Sequence, residues 1–249
     1  MYPKVSIITI TYNSELYLEQ TIQSIINQTY QCKEYIIIDG ASTDSTLSII
    51  KKYEDKIDKW VSEPDNGIAD AMNKGLALAM GDFVIFLHSD DYFVDDNVLS
   101  VAASHLTNGY EVFFFSISLS NNGEKRLAKP RGFNWWLNLK TGVFHQSVIC
   151  ARTLFERIGD FDTGFRIAMD YDFFLRAYRA RVKTKKIDLP LSVMRLCGVS
   201  SQLDWPSLRE RFREEHLVHI KNCPLIWQRP LYYMYSLVYK FYRYCKSLS

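Results

Sequence analysis

The chain has 249 residues, 47% of them hydrophobic, and a formal charge of +2. That length and apolar content fit one sizeable α/β domain, alone or with an appendage, and exclude a disordered or fibrous chain. The small net charge excludes a strongly basic nucleic-acid binder, so no nucleic-acid partner is expected.

Residues 4–10 are rich in β-branched side chains, which predicts a first strand. It runs into Thr11-Tyr12-Asn13-Ser14, where Asn13 or Ser14 can cap a helix reaching Gln28. A second strand over 34–38 ends in Asp39-Gly40-Ala41-Ser42-Thr43-Asp44, and a helix over 45–56 follows. A short strand at 59–62 leads through Glu63-Pro64-Asp65-Asn66-Gly67 to a helix over 68–80. Five consecutive apolar residues, Phe83 to Leu87, read as a central strand covered on both faces. This rhythm predicts a parallel sheet with right-handed crossovers.

The central strand delivers Ser89, Asp90 and Asp91 to its carboxyl end, the edge where ligands bind in open α/β sheets. Adjacent carboxylates repel unless a cation sits between them or one is protonated, and hard oxygen ligands suit magnesium or manganese. The alternative is a solvated acidic turn capping the next helix. No Gly-x-Gly-x-x-Gly follows the first strand. The strand ends carry Thr11, Asn13, Asp39, Asp90 and Asp91 instead, so a nucleotide there would be read by side chains at its base and ribose.

Beyond Asp91 the pattern predicts a helix over 97–106 and an apolar strand over 111–118, with a hairpin turn at Asn121-Asn122-Gly123. Trp135 and Trp136 fall in a loop or short helix, and His145-Gln146-Ser147 precede another strand. Asp170-Tyr171-Asp172 opens a helix with Tyr171, Phe174, Leu175 and Tyr178 on one face. Asp70 and Lys74, four apart on one helix, read as a surface pair. The five cysteines are scattered, odd in number and without metal-ligand spacing, which fits reduced thiols in a cytoplasmic protein. Residues 5–10 are too short for a signal core, and no membrane span is expected.

The ordered set of Val5 to Asn13, Ile38 to Asp44, Ser62 to Gly67 and Ser89-Asp90-Asp91 resembles family 2 glycosyltransferases, in particular the bacterial surface-polysaccharide, colanic-acid-type branch. The resemblance covers residues 4–200. It implies the GT-A fold, a mostly parallel central sheet flanked by helices, with a nucleotide-sugar donor, a divalent metal (Mn2+ or Mg2+) and inversion at the anomeric carbon. Residues 1–110 would form the nucleotide-sugar half, 111–200 the acceptor half and 201–249 a helical tail. By resemblance Asp91 holds the metal, and Asp90 lies near the ribose and metal shell. Thr11, Tyr12, Asn13, Asp39, Gly40, Ser42 and Asp65 surround the donor, with Asp39 on the base and a UDP-sugar favoured over a guanine nucleotide. Asp44 either joins them or caps the next helix. Related enzymes take their general base from a Glu-Asp pair opening a late helix. Here that place reads Met169-Asp170, so Asp170 is the matching base and Asp172 the alternative, the latter otherwise an exposed partner of Arg176. His145 either touches the pyrophosphate or acceptor or is structural.

The implied reaction moves a sugar onto a polyprenyl-linked or oligosaccharide acceptor in surface-glycan synthesis. A nucleotidyltransferase would need a glycine-rich basic loop after the first strand, which is missing. The missing acid before Asp170 leaves open a catalytically weak paralogue that binds nucleotide sugar for another transferase. Residues 224–249 carry Arg229, Lys240, Arg243, Lys246 and many tyrosines but no acid. This suits peripheral attachment to the inner membrane face, the alternative being packing on the domain or on a second subunit in a homodimer.

Overall fold

The computed structural model describes residues 2–121, 123–130, 132–140, 142–196, 204–223, 226 and 228–247, the last three without their side chains. Asn122 of the expected turn, Cys197 and the expected boundary at 200/201 lie outside the described residues, as does the side chain of Cys245. Cys32, Cys150 and Cys223 carry reduced thiols.

Strands β1 (Val5–Thr11), β2 (Lys33–Asp39), β3 (Lys59–Ser62) and β4 (Phe83–Phe86) pair in parallel in the order β3-β2-β1-β4. The linking helices are α1 (Leu18–Ile26), α2 (Thr46–Lys52) and α3 (Ile68–Leu78). Beyond β4 the sheet becomes mixed. Its order continues through β8 (Val148–Ala151), β6 (Val112–Asn121), β9 (Thr184–Arg195) and β5 (Tyr92–Phe93). Strand β7 (Glu124–Ala128) forms the expected hairpin with β6.

Alternation along the strands divides the core in two, because successive side chains point to opposite faces. Ile8, Ile36, Ile38 and Phe86 pack with α3, α5 (Arg152–Ile158) and α6 (Met169–Arg179). Ile7, Ile37, Ile85 and Phe113 pack on the other face with α1, α2 and α4 (Val98–Ser104). A Cβ at Gly75 would sit 2.4 Å from Ile8 Cγ2, so the missing side chain lets α3 lie close to the sheet.

Helices α1 to α4 are each shorter than expected, α2 ending at Lys52 and α4 at Ser104. Helix α1 begins at Leu18 rather than at Asn13 or Ser14, and no side chain caps it. Asn13 is left-handed (φ 48°) and its Oδ1 accepts the Thr43 N–H at 2.9 Å, so the residue belongs to the loop. Helix α3 stops at Leu78, and the Met80 N–H bonds to Glu34 Oε1. Strands β5 and β9 and helix α5 were not foreseen. Pro190 sits in β9 opposite Ser116, where the pairing register with β6 shifts, and this breaks the alternation that marks a strand.

The tail is two helices, α7 (Trp205–Asn222) and α8 (Gln228–Ser247). They pack through Phe212 on Tyr239, Trp205 on Tyr244 and His219 stacked on Tyr232 at 3.7 Å. Val218 of α7 enters the main core, so α7 belongs with the domain.

Candidate active site

The pairing register puts Thr11, Asp39 and Ser62 in one row across β1, β2 and β3. Just past that row a Cβ on Gly40 would meet Asp65 Oδ2 at 2.5 Å and Tyr12 Cδ2 at 3.4 Å. Three strand ends thereby converge at one sheet edge, which we call the donor wall, with Tyr12 63% exposed and available to stack on a planar ring. Asp65 Oδ1 accepts the Gly67 N–H at 2.9 Å, and Lys74 ties its loop down through Glu63 (2.8 Å) and the Pro64 carbonyl (2.9 Å). Lys74 is therefore a loop anchor as well as the partner of Asp70 at 3.7 Å.

Asp39 departs from the expected direct contact with a base. It is 0% exposed, and its two oxygens accept the Ser42 N–H (3.0 Å), the Ser42 hydroxyl (2.5 Å) and the Ser62 hydroxyl (2.7 Å). Ser42 Oγ in turn accepts the Asn13 N–H at 2.8 Å. Asp39 thus builds the wall from behind, holding Asn13, Ser42 and the left-handed Ala41 (φ 62°) in place. Asp44 takes the capping option: its Oδ1 accepts the Thr46 N–H at 3.0 Å, and its Oδ2 accepts the Glu15 N–H at 3.1 Å.

Asp90 and Asp91 follow β4, the neighbour of β1, and the Ser89 hydroxyl donates to that of Ser14 at 2.8 Å. The acidic pair and the cleft wall therefore share one sheet edge. Asp90 is half-buried while Asp91 is 1% exposed, so Asp90 has the better access to the cleft. Burial, reinforced by the neighbouring Asp90 charge, pushes the Asp91 carboxyl well above the usual carboxylate range. Arg195, which sequence reasoning missed, clamps the turn. Its backbone N–H reaches Asp91 Oδ1 at 3.1 Å, and its guanidinium bonds to the Asp90 carbonyl and to Gln20. The same guanidinium lies over Tyr17 and Tyr92, 4.5 and 4.7 Å from the ring centroids.

The opposite wall begins at the turn before β8. His145 Nδ1 stands 3.4 Å from Asp170 Oδ2, and the neighbouring Gln146 is buried, its backbone carbonyl accepting the Ser192 hydroxyl at 2.8 Å. The residue before Ser89 joins this group: the His88 ring lies 4.5 Å from that of His145. Burial, with His145 adding to it, holds the His88 imidazole well below its ordinary range. Among the described residues, His88 Nδ1 and His145 Nε2 have no hydrogen-bond partner. Periodicity could not flag His88, because it simply continues an apolar strand.

Asp170, at the start of α6, is half-buried and faces this wall, whereas Asp172 does not. Asp172 is 0% exposed and accepts from Arg176 Nε (2.8 Å) and Asn222 Nδ2 (2.7 Å). The expected Arg176 pair exists but is buried rather than surface-exposed, and Asp172 holds α6 to α7. Burial, with the Asp170 charge adding to it, pushes Glu215 of α7 up to about 7.

A family model described as "Glycosyl transferase family 2" matches residues 6–178. The chain belongs to glycosyl transferase family 2. An uncharacterized glycosyltransferase of Mycobacterium tuberculosis is 37% identical over 180 residues, spanning 70% of this chain and 69% of that one. The PGL/p-HBAD biosynthesis glycosyltransferase of Mycobacterium bovis is 32% identical over 187 residues, spanning 71% and 70%. Among solved structures, Staphylococcus aureus TarS 1-349 in complex with UDP-GlcNAc superposes with a TM-score of 0.68, covering 86% of this chain and 66% of that one at 23% identity. The mannosyltransferase PcManGT of Pyrobaculum calidifontis, in complex with GDP-Man and Mn2+, gives 0.69 over 96% and 70% at 20% identity. These superpositions show that this family 2 chain has the GT-A fold.

Proposed function

We propose that this glycosyltransferase takes a UDP-sugar and transfers the sugar, with inversion, to a hydroxyl of a lipid-linked or oligosaccharide acceptor of a bacterial surface polysaccharide. The observation that carries the reading is a run of contacts along one sheet edge, from Ser14 on Ser89 beside the acidic pair to the His88 ring 4.5 Å from His145, which faces Asp170. The donor wall bears Tyr12, Gly40 and Asp65.

In this reading the base stacks on Tyr12 beside Gly40, while Thr11, Asn13 and Ser42 shape the wall and Asp39 holds it from behind. Asp170 takes the proton from the acceptor hydroxyl as that oxygen bonds to the anomeric carbon and the bond to the diphosphate breaks. His145 orients Asp170 through the contact of its Nδ1 with Oδ2. The carboxyl of Asp91, expected on the metal, is buried and already accepts the Arg195 N–H. Half-exposed Asp90 is therefore the one of the acidic pair that would hold a divalent ion of the magnesium or manganese type. Such ions are bound by one or two carboxylates plus substrate phosphates, and among the described residues no cluster of three side-chain ligands exists. The ion would offset charge on the leaving diphosphate.

The lipid-linked acceptor is supported by α8, which presents Leu231, Met234, Val238 and Phe241 at 60% exposure or more. Beside it a groove of about 690 Å³ is lined by Trp205, Arg209, Arg213 and Lys240 among others. Exposed apolar side chains flanked by cations suit the headgroup layer of an anionic membrane. No helix among the described residues is long and apolar enough to cross one.

A thermal-shift screen of UDP and GDP, each with and without manganese, tests the donor assignment. A ligand of the folded state raises the melting temperature by mass action. A rise with UDP that grows with manganese is expected, and no rise with either nucleotide sinks the reading.

A further inference from the structure

The acid missing before Asp170 has a counterpart far along the chain. Glu214 of α7 is 7% exposed and reaches across to the segment that enters α6. Its Oε1 accepts the Arg166 N–H at 3.0 Å, and its Oε2 accepts those of Ile167 at 2.7 Å and Ala168 at 2.9 Å. These are the three residues before Met169, the first residue of α6. Asp170 follows two positions after the last of them.

Backbone N–H groups at a helix start need acceptors, and an acid in the first turn ordinarily supplies one. Asp170 is such an acid, and its Oδ1 already accepts the Tyr171 N–H at 2.6 Å. Because Glu214 satisfies the three preceding amides, Asp170 Oδ2 is left facing His145 Nδ1. Charge-assisted bonds to backbone are among the stronger ones, so three on a single carboxylate fix this entry segment firmly.

We infer that Glu214 is the positioning residue that keeps Asp170 aimed into the cleft, which makes α7 part of the catalytic unit. This rests on reading Asp170 as the base. Without Glu214, the Asp170 carboxylate is drawn onto the vacated amides and away from the acceptor. The other bond in this contact, from Asn222 Nδ2 to Asp172 Oδ1 at 2.7 Å, braces α6 without touching the residues before Asp170 and supplies the control.

The test measures hydrolysis of UDP-GlcNAc and GDP-mannose with manganese by the full chain and by Asp170→Asn, Glu214→Ala, Glu214→Gln and Asn222→Ala. Glu214→Ala should lower kcat about 100-fold, the penalty of a misplacement near 1 Å, with the donor KM little changed. Glu214→Gln, which keeps one acceptor oxygen, should fall between Ala and the wild type. Asn222→Ala should lower the melting temperature to a similar extent while keeping kcat near that of the wild type. Equal kcat losses in Glu214→Ala and Asn222→Ala, or a parallel change in donor KM, would reduce Glu214 to a stabilising contact. An inactive Asp170→Asn beside a fully active Glu214→Ala overturns the positioning role alone. A fully active Asp170→Asn removes the base assignment and the inference with it.

Discussion

Arg195 donates its backbone N–H to Asp91 Oδ1 at 3.1 Å across 104 residues of sequence, so the last residue of β9 closes over the acidic turn that follows β4. The clamp depends on a planar fork set between two rings. Arg195→Ala removes the guanidinium bonds to the Asp90 carbonyl and to Gln20 and the contacts with Tyr17 and Tyr92. These bonds hold the Asp90–Asp91 turn and not the nucleotide itself, so UDP affinity in manganese should fall as that turn loosens. Arg195→Lys should not restore it, because an ammonium cannot fill the same fork. Calorimetric titration of UDP into both variants checks this.

Replacing Asp170 with Asn should lower turnover of the donor by about 100- to 10,000-fold, the range typical of a lost general base. Donor affinity should stay unchanged, since Asp170 faces His145 at the turn before β8 while Gly40 lies beside Tyr12 and Asp65 at the end of β2. His145→Ala should produce a smaller loss in the same direction. Single-turnover kinetics beside equilibrium UDP binding separates the two effects.

Gly40→Ala is the most economical probe of the donor wall. Its Cβ would stand 2.5 Å from Asp65 Oδ2, so the carboxylate must move. Nucleotide affinity should fall while the melting temperature changes little, because the crowding lies at the cleft rather than in the core. An unaltered UDP dissociation constant would place the base elsewhere.

Glu215 predicts a pH dependence of stability. Its folded pKa, pushed up to about 7 by burial, exceeds the ordinary 4.5, despite the opposing charges of Arg211, Arg243 and Lys140. Its favourable contribution is therefore complete below pH 4.5 and is lost as pH rises to about 7, on the order of 3 kcal/mol in all. Glu215→Gln cannot ionise, so its stability should gain on the wild type between pH 4.5 and 8. His219, held at about 4 by burial, runs the other way and loses stability as pH falls from 6.5. Denaturant titrations of wild type and Glu215→Gln at pH 5 and pH 8 isolate the carboxyl, and a pH-independent gap contradicts this account.

The exposed face of α8 should bind anionic vesicles. Replacing Met234, Val238 and Phe241 together by Glu alters side chains that are 60%, 67% and 71% exposed, so the fold should survive. Sedimentation with phosphatidylserine vesicles should then be lost while UDP binding persists. Equal sedimentation of both proteins would assign the face to another partner.

The parallel half of the sheet was legible because buried strands and their acidic ends leave a local pattern. Phe83 to Leu87 and the Asp39 and Asp90 positions can be read without knowing what lies across from them. Asp39 was expected on the base, but its burial behind Ser42 and Ser62 depends on side-chain direction, which spacing does not report. Asp172 was read as an alternative base or else an exposed partner of Arg176, and its burial was hidden because its partner Asn222 lies 50 residues away. Arg195, His88 and Glu214 were invisible for the same reason. Each acts on a residue brought near only by the chain's return, and β9 itself was hidden by Pro190 at its register shift.

Helix α7 has two allegiances. It feeds Val218 and three carboxylate-to-amide bonds into the sheet side, and it offers His219 and Phe212 to the rings of α8. A swap of C-terminal segments between relatives, made to exchange acceptor preference, would therefore cut through a shared part if joined at residue 200. The workable seam lies after Asn222, where the incoming helix must bring rings that fit His219 and Phe212.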